Sequence, residues 1–157
     1  MKHFDYFAPT EIIFGAGRVT EAGALAARYG KKAMLVTVPE FPAVAELYAK
    51  VKKSLADAGV ACVHYDGVIP NPTTELVTRG AELAKAEGVD VVIGLGGGSS
   101  MDTAKAIAVE ATHPGTAWDY NCHTAGPTEQ TLPILAISTT AGTGSQTTPC
   151  AVITKTS

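Results

Sequence analysis

An apolar run, Val91-Val92-Ile93, passes directly into Gly94-Leu95-Gly96-Gly97-Gly98-Ser99-Ser100-Met101-Asp102, after which Met101, Ala104, Ile107, Ala108 and Ala111 recur at helical spacing. This order of strand, glycine turn and helix constrains the fold more than any other feature of the chain. Glycines lack a Cβ, so backbone N–H groups can converge on one point. A helix beginning there adds about half a positive charge, which suits an anion such as phosphate. Ser99 is then a candidate cap for the helix and a hydroxyl donor to the same anion. The competing explanation is a close helix–sheet contact needing small residues, but three consecutive glycines exceed what packing asks for.

The rest of the chain repeats the strand–helix rhythm. Apolar runs at 33–38, 60–65, 89–95 and 132–137 are expected strands. Val91-Val92-Ile93 and Ile134-Leu135-Ala136-Ile137 are continuously apolar, the pattern of strands covered on both faces of a parallel sheet. Val44, Leu47, Tyr48, Val51 and Leu55 lie at helical spacing before Gly59, and Leu76, Val77, Gly80, Leu83 and Ala84 do so before Gly88. A shorter stripe, Ala22, Leu25, Ala26 and Tyr29, ends at Gly30. The expected fold is α/β, a doubly wound and mostly parallel sheet with right-handed crossovers. An N-terminal β-hairpin within 1–15 is expected ahead of it, from 4–7 and 11–14 flanking Ala8-Pro9-Thr10. Pro114, Gly115, Gly126 and Pro127 mark 113–131 as a long loop on the functional rim.

A length of 157 residues, with 46% hydrophobic and 17% charged residues, suits one domain, 1–157, with one ordered core. The net charge of −3 comes without a basic cluster, so nucleic acid is not an expected partner. No apolar stretch approaches membrane-spanning length and the first residues lack a signal-peptide core, so the expected location is the cytoplasm. Cys62, Cys122 and Cys150 are too few and too scattered for a disulfide framework. His113, Cys122 and His123 lack the spacing of a zinc site. Trp118 in the long loop reads as a packing anchor in preference to a substrate contact.

A second polar segment, Ser138-Thr139-Thr140-Ala141-Gly142-Thr143-Gly144-Ser145, follows the last strand. In a parallel sheet it falls at the same carboxyl-end rim as the glycine turn, where open α/β folds bind ligands. Together the two loops argue for a nucleotide. The common fingerprints do not fit. Gly94-x-Gly96-x-x-Ser99 departs from the Rossmann pattern, no lysine follows Gly98 as a Walker A loop requires, and Gly-x-Ser-x-Gly is missing. Asp102 and Lys105, at i and i+3, read either as a capping or surface pair or as groups near a ligand.

Three motifs in order complete the reading: Pro70-Asn71-Pro72-Thr73, Gly96-Gly97-Gly98-Ser99-x-x-Asp102-x-Ala104-Lys105 and Thr139-Thr140-Ala141-Gly142-Thr143-Gly144-Ser145. They resemble the iron-containing alcohol dehydrogenase family, and Phe14-Gly15 and Tyr65-Asp66-Gly67 fit it too. The resemblance implies a nicotinamide nucleotide, NAD or NADP, as cofactor. Gly97, Gly98 and Ser99 would hold its pyrophosphate, with Gly96 and Asp102 in the same site. Thr139, Thr140 and Thr143 would lie around the pyrophosphate and nicotinamide side, with Asn71 a further contact. Val38 stands where many members carry an Asp that binds the adenosine ribose, which leaves the choice between NAD and NADP open. Gln146 stands where a Glu is common.

The family's iron, or sometimes zinc, is held by a helical second domain downstream of the Thr-Thr-Ala-Gly-Thr segment. At 157 residues that domain is expected to be absent, leaving this chain no metal of its own and no activity alone. The parent enzyme would interconvert a primary alcohol or diol with an aldehyde. The alternatives are a stand-alone nucleotide-binding module or a relative of the glycerol dehydrogenase and dehydroquinate synthase type. An apolar face left by the missing helices makes a homo-oligomer the expected state.

Overall fold

The structure is a computed structural model that describes residues 3, 8–120 and 126–156. Its core is a sheet of four parallel strands, β1 (Lys32–Val36), β2 (Ala61–Tyr65), β3 (Val91–Gly96) and β4 (Ile134–Ser138), in the order β2-β1-β3-β4. The helices are α1 (Ala22–Ala26), α2 (Pro42–Asp57), α3 (Thr74–Glu87) and α4 (Gly98–Glu110).

Alternation along each strand assigns the helices to faces. Ala33, Leu35, Val91 and Ile93 point to one side, where Ala22 and Ala26 of α1 and Tyr48, Val51 and Leu55 of α2 cover them. Met34, Val36 and Val92 point to the other side, against Val77 of α3 and Ala104, Ile107 and Ala108 of α4. Both central strands are therefore buried on both faces, as their unbroken apolar sequences require. Each fully buried aliphatic side chain contributes about 1.5–3 kcal/mol.

Local chemistry sets the helix ends. Pro42 opens α2, where its fixed φ is already helical and its missing N–H costs nothing. Thr73 caps α3, its Oγ1 accepting from the Leu76 N–H at 3.4 Å. Gly88 closes the same helix at φ 62°, in the left-handed region.

Two expectations change. Helix α1 stops at Ala26, and Gly30 leaves room for the Asp90 side chain instead of ending a longer helix. That carboxylate accepts the Lys31 and Lys32 N–H groups at 2.7 and 2.9 Å. The first arm of the expected hairpin, 4–7, lies outside the described residues, and 11–14 form no strand. A hairpin arm is ordered by its partner, and alternation alone does not supply one. Cys122 and His123 also lie outside the described residues, and no described helix is long and apolar enough to cross a membrane.

The topology marks one place for a ligand. From β1 the chain leaves through α2 on one face to reach β2; from β3 it leaves through α4 on the other face to reach β4. The two connections diverge in opposite directions, so a crevice opens beyond the carboxyl ends of β1 and β3.

Candidate functional site

The glycine turn lies at that crevice. In the strand before it, a Cβ on Gly94 would lie 2.9 Å from the Ala104 Cβ and from the Met101 Cα, so glycine is what lets α4 lie flat on β3. Gly97 is the N-cap of α4, and no side chain caps it. The expected Ser99 cap is thus corrected: Ser99 is already inside the first turn, where its hydroxyl cannot reach back as a cap does. The N–H groups of Gly98 and Ser99 have no intrahelical acceptor by the geometry of a helix start. They are free to meet an anion.

A cleft of about 300 Å³ lies against this helix start, lined by Asn71, Gly98, Ser99, Asp102 and Thr143 among the expected site residues. Ser145, Cys150 and Val152 line it too. Gly98 faces Thr143 so closely that a Cβ would stand 2.7 Å from Thr143 Cγ2. Gly96, Gly97, Thr139 and Thr140 do not line the cleft but lie beside the same helix start. Thr139 N–H donates to the Gly96 carbonyl at 3.0 Å, and a Cβ on Gly97 would lie 3.1 Å from Thr140 Oγ1. Val38 stands apart at the end of β1, its carbonyl accepting from Thr37 Oγ1 at 2.7 Å and Tyr48 Oη at 3.3 Å.

Asn71 has φ 53°, among the described residues the one non-glycine with positive φ. Asn tolerates this conformation better than most residues, but between Pro70 and Pro72 it is a strained choice, and strain of this kind concentrates at ligand sites. The strand-like tail holds the turn: Thr154 N–H donates to the Pro72 carbonyl at 2.8 Å, and Thr74 N–H donates to the Thr154 carbonyl at 3.0 Å.

Asp102 and Lys105 are neither a cap nor a surface pair. Both are buried, at 7% and 9% exposure, and they share Ser145 as a partner. Helix α4 is enclosed almost all round, which turns two charged positions inward. Burial pushes the Lys105 ammonium below its ordinary pKa, and the Asp102 carboxylate opposes that shift. The bridging role of Ser145 and the Val152 backbone escaped the sequence reading. The available signal was two charges, one turn apart, in the middle of a helix rich in Ala, Ile, Met and Val. Cys150 is exposed at the cleft, and Trp118 packs with the Lys155 ammonium 5.9 Å from its ring centre.

At the far side of the crevice, Thr37 Oγ1 lies 2.9 Å from His64 Nε2. Burial pushes that imidazole below its ordinary pKa.

Comparison with known proteins decides the family. The model for iron-containing alcohol dehydrogenase matches residues 9–157. The chain belongs to the iron-containing alcohol dehydrogenase family. It is 46% identical to a choline dehydrogenase of Bacillus subtilis, covering 98% of this chain and 39% of that protein. It is 36% identical to an NAD-dependent methanol dehydrogenase of Bacillus methanolicus, over 96% of this chain and 39% of the relative. Among solved structures, an archaeal halo-thermophilic alcohol dehydrogenase from a Red Sea brine pool superimposes with a TM-score of 0.92 at 42% identity, over 99% of this chain and 41% of that one. The chain thus spans about 40% of the length of the family members it matches.

Proposed function

We propose that this chain binds the nicotinamide nucleotide of a metal-dependent alcohol dehydrogenase that interconverts a primary alcohol or diol with an aldehyde. The observation that carries the reading is the uncapped start of α4, set between Gly98 and Thr143 at the topological switch. The residues fit the group. The uncapped backbone at the start of α4 offers N–H donors to a pyrophosphate, and Ser99 and Thr143 line the same cleft with hydroxyls.

The crevice orders the rest of the molecule. The adenosine lies toward the end of β1, as in other open α/β sheets, and the nicotinamide half runs toward the segment after β4. Thr139 and Thr140 flank the pyrophosphate, Asn71 closes the opposite lip and Asp102 backs the nicotinamide side. Val38 neither accepts a bond from a ribose hydroxyl nor repels a 2′-phosphate, so the reading extends to NADP as well as NAD. The nicotinamide would supply hydride transfer to or from the substrate carbon, and the family's iron, or zinc, would polarise the substrate oxygen. Among the described residues no three His, Cys, Asp or Glu side chains converge for a metal. The part this reading gives the chain's own residues is to hold and orient the nucleotide. Exposed Ile12, Phe14 and Val152 are apolar surface that supports assembly into a homo-oligomer.

Titration of the purified protein with NADH and NADPH, followed by nucleotide fluorescence, tests the reading. Saturable binding is expected, and Gly98→Ala should weaken it by about tenfold or more, because the new methyl competes with Thr143 and with the phosphate. Absence of binding by the unmodified protein, or equal binding by a folded Gly98→Ala variant, would reject it.

A further inference from the structure

Four hydrogen bonds tie one turn of α4 to the chain that follows β4. The Lys105 ammonium donates to Ser145 Oγ at 2.7 Å and to the Cys150 carbonyl at 2.6 Å. Ser145 Oγ donates to Asp102 Oδ1 at 2.6 Å, and the Val152 N–H donates to Asp102 Oδ2 at 3.1 Å. The direct Lys105–Asp102 separation is 3.7 Å, so the hydroxyl completes the pair. Its proton has one place to go: an ammonium offers only donors and a carboxylate only acceptors.

A buried pair of this kind is a weak source of stability, because desolvation offsets most of the attraction and apolar residues of similar volume often do as well. Its value lies in what it fixes. Ser145 N–H donates to Thr143 Oγ1 at 3.2 Å, which sets Thr143 against Gly98. Past Val152, Thr154 pairs with Pro72 and Thr74 beside the strained Asn71. One buried network therefore positions two walls of the cleft.

We infer that Lys105, Ser145 and Asp102 are positioning residues, a clamp that shapes the nicotinamide-side wall of the cleft through Thr143 and the backbone from Cys150 to Val152. The inference rests on the nucleotide reading above. Adenosine meets the far end of the crevice at β1, and the pyrophosphate is held chiefly by the backbone N–H groups at the start of α4, with the Thr143 hydroxyl a lesser contact, so the clamp acts most on the nicotinamide half.

The test compares NADH with ADP-ribose, which keeps the adenosine and pyrophosphate and lacks the nicotinamide. Ser145→Ala should weaken NADH binding by about tenfold or more and leave ADP-ribose within about twofold. Ser145→Thr, which keeps a hydroxyl, should restore most of the loss. A general structural defect would move both ligands together, so the ratio separates positioning from folding. If Ser145→Ala does not fold, the paired Lys105→Met/Asp102→Leu variant leaves no unpaired buried charge and reads the same ratio. Equal losses for both ligands, or no loss for either, would overturn the clamp. So would unmodified protein that binds NADH no better than ADP-ribose. Unmodified protein that binds neither ligand would overturn the nucleotide reading itself.

Discussion

At Gly94 the sheet and the following helix touch with no room between them: an added methyl would meet the Ala104 methyl and the Met101 backbone, both 2.9 Å away. Backbone cannot swing aside as a side chain does. Gly94→Ala should therefore destabilise the protein by about 1–3 kcal/mol, with each kcal/mol lowering the melting temperature by about 2–4 °C for a chain of this size. Calorimetry checks it, and an unchanged melting temperature would mean that α4 can lift off β3 freely. At this scale the sequence was informative where a residue's chemistry allows few uses. Three adjacent glycines between an apolar run and a helical pattern pointed to a tight turn because three together exceed what helix–sheet packing asks for. Ser99 and Asp102 were harder, since a hydroxyl or a carboxylate near a helix start serves as a cap, a surface group or a buried partner equally well. Only the fold, which brings Ser145 across to α4, decides among these.

The four strands and three longer helices follow from apolar periodicity, and their ends differ from the sequence expectation by a residue or two because terminal pairing depends on neighbours. The expected strand at 33–38 ends at Val36, although the Thr37 N–H still donates to the Tyr65 carbonyl at 2.9 Å and the Thr37 carbonyl accepts from the Val68 N–H at 3.1 Å. The region at 11–14 had the apolar content of a strand and forms none, and its expected partner arm, 4–7, lies outside the described residues. The tail that closes the site could not be foreseen, since its pairing with Pro72 and Thr74 is a long-range contact with no local signal. It is also held at Glu75, whose carboxylate accepts from Thr156 Oγ1 at 2.6 Å. That bond, with help from the backbone and Thr73, lowers the Glu75 pKa from 4.5 to about 2. A depressed folded-state pKa stabilises the native state above the unfolded value and loses that contribution as pH falls through the folded one. The stability difference between the protein and its Glu75→Gln variant should therefore be full above pH 4.5 and shrink as the pH drops toward about 2. Thermal melts across that range measure it; a difference independent of pH would show that Thr156 does not anchor the tail through this carboxylate.

Over the whole molecule, the proposed function rests on where the topology reverses. Helices leaving β1 and β3 on opposite faces open one crevice, and the glycine turn, Thr143 and Asn71 all gather beside it. The chain corresponds to about 40% of the length of its relatives, so binding of the nucleotide is the step its own residues can be held to. Backbone amide NMR of the isotopically labelled protein during addition of NADH tests that claim most directly. The largest shifts should fall on Gly96–Ser99, Thr139–Thr143, Asn71 and the residues after β1, with the outer faces of α1 and α3 unchanged. Shifts centred elsewhere, or none at saturating nucleotide, would contradict the account.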